Sequence, residues 1–338
     1  MANQTFGISI PNYENLYEGT DMQTAFKDDP ILKLSINASR DYEDLFLGKR
    51  SGHLTEYMYC DDVDYYGELV QEEKDYYPTR SEISLINKHK DEIADIIGED
   101  CNVIEVGPGP EYILKTKVIP LLSAFKNLSS YTALDINIDY ALGASNFIKR
   151  ELQVSCAAQK VDCTKQIQRY RSEKTCLIML GGTLSNFTDL EINETVSCFA
   201  NVLNKGEHLV FSVDCNEDLP SIERAYNNRM VELLTFATVR YFKDCFMIKD
   251  FDPTKFEFEY EWSYICNAVH LNLIATEEQV FYFNNKRIVI PKNKRYHMIR
   301  SKKFKKKFVE DVLSKHGLTI KKAFMDNEKR MMSYLIQK

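Results

Sequence analysis

The residues of this sequence that could do chemistry are the glycines at 107 and 109, the aspartate at 135 and a band of tyrosines between 57 and 77. In Cys101-Asn-Val-Ile-Glu-Val-Gly-Pro-Gly-Pro110, the apolar run of Val103, Ile104 and Val106 ends at Gly107 and Gly109. Glycines at that point let the backbone turn sharply and approach a ligand with no Cβ in the way. The next apolar run, Tyr131-Thr-Ala-Leu-Asp135, ends in a carboxylate. A strand, a glycine turn and an acid closing the following strand make a nucleotide-binding arrangement, the acid accepting hydrogen bonds from ribose hydroxyls. Dinucleotide enzymes and S-adenosylmethionine enzymes share that plan. Tyr112 stands where the third glycine of the dinucleotide fingerprint would fall, which favours S-adenosylmethionine over a nicotinamide-dependent oxidoreductase.

Tyr57, Tyr59, Tyr65, Tyr66, Tyr76 and Tyr77 alternate with acidic residues, and no Lys or Arg lies between Arg50 and Lys74. Such a segment either covers a core with its amphipathic face or walls a pocket for a small polar or cationic ligand.

These residues need elements to hold them. Thr79-Arg-Ser-Glu82 has the form of a capping box, and it predicts a helix carrying Ile83, Ile86, Ile93 and Ile97 that stops near Gly98. Lys115 to Lys126 predicts a second helix, its start blurred by Pro120. A further helix follows Asp135, and Val161-Asp162 ends a third strand. Cys176-Leu-Ile-Met-Leu180 reads as a central strand leading into Gly181-Gly-Thr-Leu-Ser-Asn186, and His208 to Val213 as a fifth strand ending at Asp214. Strands alternating with helices predict a parallel sheet covered on both faces. Residues 221–236 read as one helix, and the aromatic alternation of 246–290, with a hairpin at Asn284-Asn285, predicts an antiparallel insertion. Ser301 to Lys315 reads as helix again, and Met332 to Ile336 as a closing strand.

The chain has 338 residues, enough for two domains or for one with a large insertion. A net charge of −7 argues against a general nucleic-acid binder. No run of about 18 apolar residues is present, so no membrane helix is expected. Met-Ala-Asn-Gln-Thr-Phe6 lacks a secretory signal's basic and apolar regions. Nine cysteines without CxxC pairs or metal-ligand spacing predict reduced thiols, a cytoplasmic protein and no metal site. The basic stretch from Lys286 to Lys322, including Lys302-Lys-Phe-Lys-Lys-Lys307, reads as the solvated face of a helix rather than a docking patch.

Tyr76-Tyr-Pro-Thr-Arg80 with Glu82, Ile104-Glu-Val-Gly-Pro-Gly109, Leu134-Asp135, Met179-Leu-Gly-Gly-Thr-Leu-Ser-Asn186 and Arg224-Ala-Tyr226 follow one another along the chain. In that order they resemble the histidine-specific α-N-methyltransferases, S-adenosylmethionine enzymes that make trimethylated histidine on the way to ergothioneine. Asp250-Phe-Asp-Pro-Thr-Lys-Phe256 and Ser333-Tyr-Leu-Ile336 extend the likeness, which runs from about Tyr57 to the C-terminus. The resemblance implies an α/β fold: a Rossmann-like class I methyltransferase parallel sheet with an inserted α+β substrate-binding domain. Residues 81–215 and 298–338 would form the cofactor domain, and 1–80 with 216–297 the substrate-binding domain. It further implies that Gly107, Gly109 and Gly181 lie against S-adenosylmethionine and that Lys115 holds its methionyl carboxylate, in a turn two residues longer than the family's. Asp135 would bind the ribose, and Asp162 with Cys163 would sit near the adenine. Tyr77, Asn186 and Tyr226 would bind the amino acid, with Tyr59 close to the reacting nitrogen.

One departure bears on specificity. Before the last helix the histidine enzymes carry a Thr-Glu-x-Ser motif that holds the imidazole. The matching stretch is expected at Ile290-Pro-Lys-Asn-Lys-Arg-Tyr296, where Lys292 and Lys294 would make a cationic pocket. The expectation is an N-methyltransferase acting on the α-amino group of a small amino-acid-like molecule other than histidine, of open oligomeric state. The alternative is a member of that family without activity that serves as a binding or scaffold protein.

Overall fold

The computed structural model describes residues 30–50, 54–60, 64–165, 167 and 174–338. The N-terminal hexapeptide and the acidic pair Asp61-Asp62 lie outside the described residues.

Five strands run parallel. They are β1 (Asn102–Val106), β2 (Ser130–Asp135), β3 (Ser155–Lys160), β4 (Thr175–Met179) and β5 (His208–Asp214). β4 and β5 are buried along their whole length, as strands packed on both faces must be, hence their unbroken apolar runs. A second group is antiparallel: β6 (Phe256–Ser263), β7 (Ala268–Ala275), the hairpin β8 (Gln279–Phe283) with β9 (Lys286–Ile290), and β10 (Arg295–Lys302). The chain then returns through β11 (Thr319–Met325) and β12 (Met331–Gln337). The large sheet has the order β11-β12-β5-β4-β1-β2-β3, with β12 antiparallel to both of its neighbours. This is the class I methyltransferase sheet, a doubly wound parallel sheet closed by one reversed strand. A smaller sheet, β10-β7-β6, and the β8-β9 hairpin stand apart from it.

Several local expectations change. The helix over residues 79–97 begins earlier, at Tyr77–Ile97, with Pro78 in its first turn and no side-chain cap. Thr79-Arg-Ser-Glu82 is therefore not a capping box, because the Glu82 carboxylate leaves the helix for Lys117 and the Gly181 amide. The expected helix Lys115–Lys126 is three short pieces, Glu111–Ile113, a π-turn Leu114–Val118 and Ile119–Leu122. Pro120 has no N–H to give to the carbonyl one turn back, and Asn87 Nδ2 occupies that Thr116 oxygen at 2.9 Å instead. The single helix expected over 221–236 is split at Asn227-Asn228 into Leu219–Tyr226 and Arg229–Cys245, the second capped by the Asn228 side chain on the Met230 and Val231 amides. β10 runs on to Lys302, so the last helix is only Lys306–Lys315.

The Asn284-Asn285 hairpin is as the sequence predicts, both residues at positive φ (49° and 59°), the geometry of a type I′ turn. β10 carries a bulge, its register on β7 slipping between His297 and Ile299. A bulge re-aims the residues after it. Here the Met298 carbonyl accepts the Leu54 amide at 3.2 Å and so fixes the 3-10 turn Thr55–Tyr59 beside Ile299, Arg300 and Ser301.

Candidate active site

A cavity opens at the carboxyl ends of the parallel strands, the usual ligand position in an open α/β sheet. Each strand delivers one piece of its wall: Gly107 and Gly109 after β1, Asp135 ending β2, Asp162 and Cys163 after β3, Gly181 after β4, and Asp214 ending β5. Gly107 has φ +70°, and a Cβ there would lie 2.8 Å from Thr183 Oγ1, so no other residue fits without a shift. Gly181 has φ +99°, and its N–H donates to Glu82 Oε1 at 2.7 Å.

The Asp135 carboxyl is held by the Asn137 amide on one oxygen at 2.8 Å. Burial pushes its pKa up to about 7. A desolvated carboxylate at the end of this strand is the acceptor that a pair of ribose hydroxyls requires. Burial also acts on Asp162, but hydrogen bonds from Thr164 and Lys165 outweigh it and hold the carboxyl below its ordinary range. The donor set therefore fits a nucleoside cofactor.

The lysine on this wall is not Lys115. That side chain is exposed, whereas Lys117 is buried, lines the cavity and bonds Glu82 Oε2 at 2.7 Å, both side chains 1% exposed. Lys117 lies in the π-turn Leu114–Val118, whose buried residues are Leu114, Lys117 and Val118.

Across the cavity stand Tyr59, Tyr66, Tyr76, Tyr140 and Tyr226. Tyr59 meets Tyr66 and Tyr140 edge to face, with centroids 5.4 and 5.7 Å away, and Tyr76 meets Tyr226 at 5.6 Å. Burial, helped by Tyr66 and Tyr140, drives the Tyr59 pKa well up, so the group stays a phenol. Both readings of the tyrosine band hold in part: Tyr57 is core, 1% exposed, while Tyr59, Tyr66 and Tyr76 are pocket wall. Of the adjacent pair at the head of the helix, Tyr76 faces the cavity. Tyr77 points behind it and donates to Asp214 Oδ2 at 2.7 Å.

Asn186, in the 3-10 turn Thr183–Asn186, and Tyr226 both line the cavity. Tyr226 Oη lies 2.9 Å from Ser301 Oγ. Lys303 Nζ reaches Ser301 Oγ at 3.0 Å and Asp214 Oδ2 at 2.9 Å, and sits 4.1 Å from the Tyr226 ring centroid. Lys302 and Lys303 are thus buried side chains at the end of β10, Lys303 in a buried pair with Asp214 and Lys302 on the exposed Asp189, not on the solvated face of a helix, while Lys305 to Lys307 are exposed.

Lys292 and Lys294 are not in the site. They are exposed in the turn between β9 and β10, away from the cavity wall. The part of this segment that lines the cavity is Ile299-Arg300-Ser301, beyond the bulge. These three cavity-lining residues include no carboxylate. Glu56, which sequence reasoning missed, also lines the cavity, with burial pushing its carboxyl to about 7. Nothing in its local sequence marks it, since its burial comes from the folding of the Thr55–Tyr59 turn onto β10.

The family model for histidine-specific, S-adenosylmethionine-dependent methyltransferases matches residues 56–338. The N-methyltransferase imqF of Aspergillus flavus is 22% identical over 282 residues, covering 79% of this chain and 75% of that protein. The N-methyltransferase fsqC of Aspergillus fumigatus is 24% identical, covering 73% and 69%. A histidine N-alpha-methyltransferase of Mycobacterium tuberculosis is 25% identical over 46% of this chain and 48% of its own. Among solved structures, an S-adenosylmethionine-dependent methyltransferase from Clostridium acetobutylicum aligns at 12% identity and a TM-score of 0.45, covering 80% of this chain and 95% of that one.

Proposed function

The chain belongs to the histidine-specific, S-adenosylmethionine-dependent methyltransferase family, and on that premise we propose that it N-methylates the α-amino group of a free amino acid other than histidine. One observation carries the reading: the glycine-aspartate cradle and the Asn186, Tyr59 and Tyr226 side chains share a single cavity. In this proposal the parallel sheet with the C-terminal strands is the cofactor half, and the antiparallel sheet with the N-terminal helices is the acceptor half.

When bound, S-adenosylmethionine supplies a methyl group on a positively charged sulfur, open to in-line attack. The chain's own contribution is to hold the partners in that line. Lys117 takes the part expected of Lys115, offering its ammonium to the methionyl carboxylate while Glu82 fixes it beside Gly181. Asn186 anchors the acceptor. An attacking amine must be neutral, and near pH 7 most of it is protonated. Tyr59 remains a phenol, so it orients the amine's lone pair by hydrogen bonding rather than removing the proton. The faces of Tyr59, Tyr66, Tyr76 and Tyr226 then accommodate the cation that forms.

The exclusion of histidine rests on Ile299. An imidazole N–H packed against Ile299 finds no acceptor on that residue, and an unpaired buried donor costs about 1–3 kcal/mol. The test is incubation with isotope-labelled cofactor and the twenty common amino acids, read by mass spectrometry. Methylated product at an α-nitrogen is expected. Transfer to histidine above all others, or to no amino acid, would sink the reading.

A further inference from the structure

Arg300 is a buried guanidinium short of partners. Its residue is 7% exposed and it lines the cavity between Ile299 and Ser301. Its Nε is buried with no hydrogen-bond partner among the described residues. The one ion pair it makes is long, 3.4 Å from Nη2 to Asp189 Oδ1, and that carboxylate is 58% exposed and already holds Lys302 Nζ at 2.7 Å. A planar cation with five N–H donors is costly to bury in this state, and such groups normally pair with a carboxylate in a fork. Asp189 opens the helix that follows the Asn186 turn, and β10 packs on that turn, so Arg300 belongs to the part of the cavity wall beside Asn186.

Beside the tyrosines and Asn186, the cavity has an apolar wall of Met58, Leu69, Val231, Leu234, Leu271 and Ile299, all six from the hydrophobic core built on the antiparallel sheet. We propose that Arg300 is the anchor for a carboxylate of the acceptor, and that this apolar wall selects an amino acid with an aromatic or aliphatic side chain. The inference deepens the amino-acid N-methylation reading and rests on it for the identity of the cavity.

The experiment measures binding to protein loaded with S-adenosylhomocysteine, by calorimetry, in wild type, Arg300→Gln, Arg300→Lys and Ile299→Glu. The probes are L-phenylalanine, L-tryptophan, L-leucine and L-histidine, each with the amine that lacks its carboxylate. In wild type the apolar amino acids should bind at least about tenfold tighter than their amines and than histidine, the scale of one charge-assisted contact. Arg300→Gln should erase the preference over the amines, Arg300→Lys should restore part of it, and Ile299→Glu should close the gap to histidine. Unchanged S-adenosylhomocysteine affinity shows that each variant is folded. Equal binding of acids and amines by wild type, or a preference that persists in Arg300→Gln, overturns the anchor. An intact anchor without methyl transfer from labelled cofactor would overturn the N-methylation reading alone. Transfer to amino acids with the preference unchanged in Arg300→Gln would overturn the anchor alone.

Discussion

Asp135 combines two demands that oppose each other. Burial raises its pKa from the ordinary 3.8 to about 7, whereas a ribose calls for an ionised acceptor. Between those values the native carboxyl keeps a proton that the unfolded chain has lost, so this group's stabilising contribution falls as pH rises through that window. Cofactor affinity should move the other way. The hydroxyls need an ionised acceptor, so affinity for S-adenosylhomocysteine should rise with pH and level off above about 7. Glu56 and Glu105 also titrate near there, which makes Asp135→Asn the necessary comparison. In the variant, calorimetric affinity from pH 5 to 8 should flatten, while the pH dependence of melting temperature should become shallower but persist, carried by Glu56 and Glu105. Profiles identical to wild type would remove Asp135 from the cofactor site. The acid at the end of β2 was legible because strand, glycine turn and acid are all local. Choosing Tyr76 over Tyr77 was not, since neighbours on a helix differ in facing by its phase on the sheet.

At the scale of an element, the π-turn Leu114–Val118 holds Lys117 buried at the cavity wall, while Lys115 is exposed. Lys115→Ala should leave S-adenosylhomocysteine affinity unchanged and shift stability by no more than about 0.5 kcal/mol, as exposed substitutions do. Lys117→Met strands the Glu82 carboxylate in the interior and should cost about 3–5 kcal/mol. Adding Glu82→Gln to it should recover much of the loss. Urea unfolding of the four proteins checks this, and equal midpoints for the two lysine variants would refute it. Lys292 and Lys294 looked like candidates because the last helix was expected from Ser301, whereas β10 runs on to Lys302 and its far end, with Arg300 and Ser301, lines the cavity.

At the scale of the whole molecule, the Asp214–Lys303 pair ties together stretches far apart in sequence. Asp214 ends β5, Lys303 follows β10, and Tyr77 opens its helix on the same carboxylate. Burial alone would lower the Lys303 pKa, but Asp214 outweighs it and holds the lysine charged. Lys303→Met should destabilise the fold by about 3–5 kcal/mol by leaving Asp214 buried and unpaired. Pairing it with Asp214→Asn should return most of that, as read from urea unfolding. If the single and double variants melt together, the pair does not join the two layers.

What the sequence determined by itself is what short-range physics controls. The buried strands follow from their apolar runs, the turns at Gly107 and Asn284-Asn285 from residues tolerant of positive φ, and the carboxylate from its place at the end of β2. These gave the fold class and the cofactor. Only the tertiary structure decided which of two lysines, which of two tyrosines and which residues of β10 face the cavity. Those choices are made in a π-turn, in the run of β10 on to Lys302 and in buried ion pairs. Their energy lies in contacts between separate segments, from Lys117 on Glu82 across 35 positions to Tyr77 on Asp214 across 137, where no local pattern can record it.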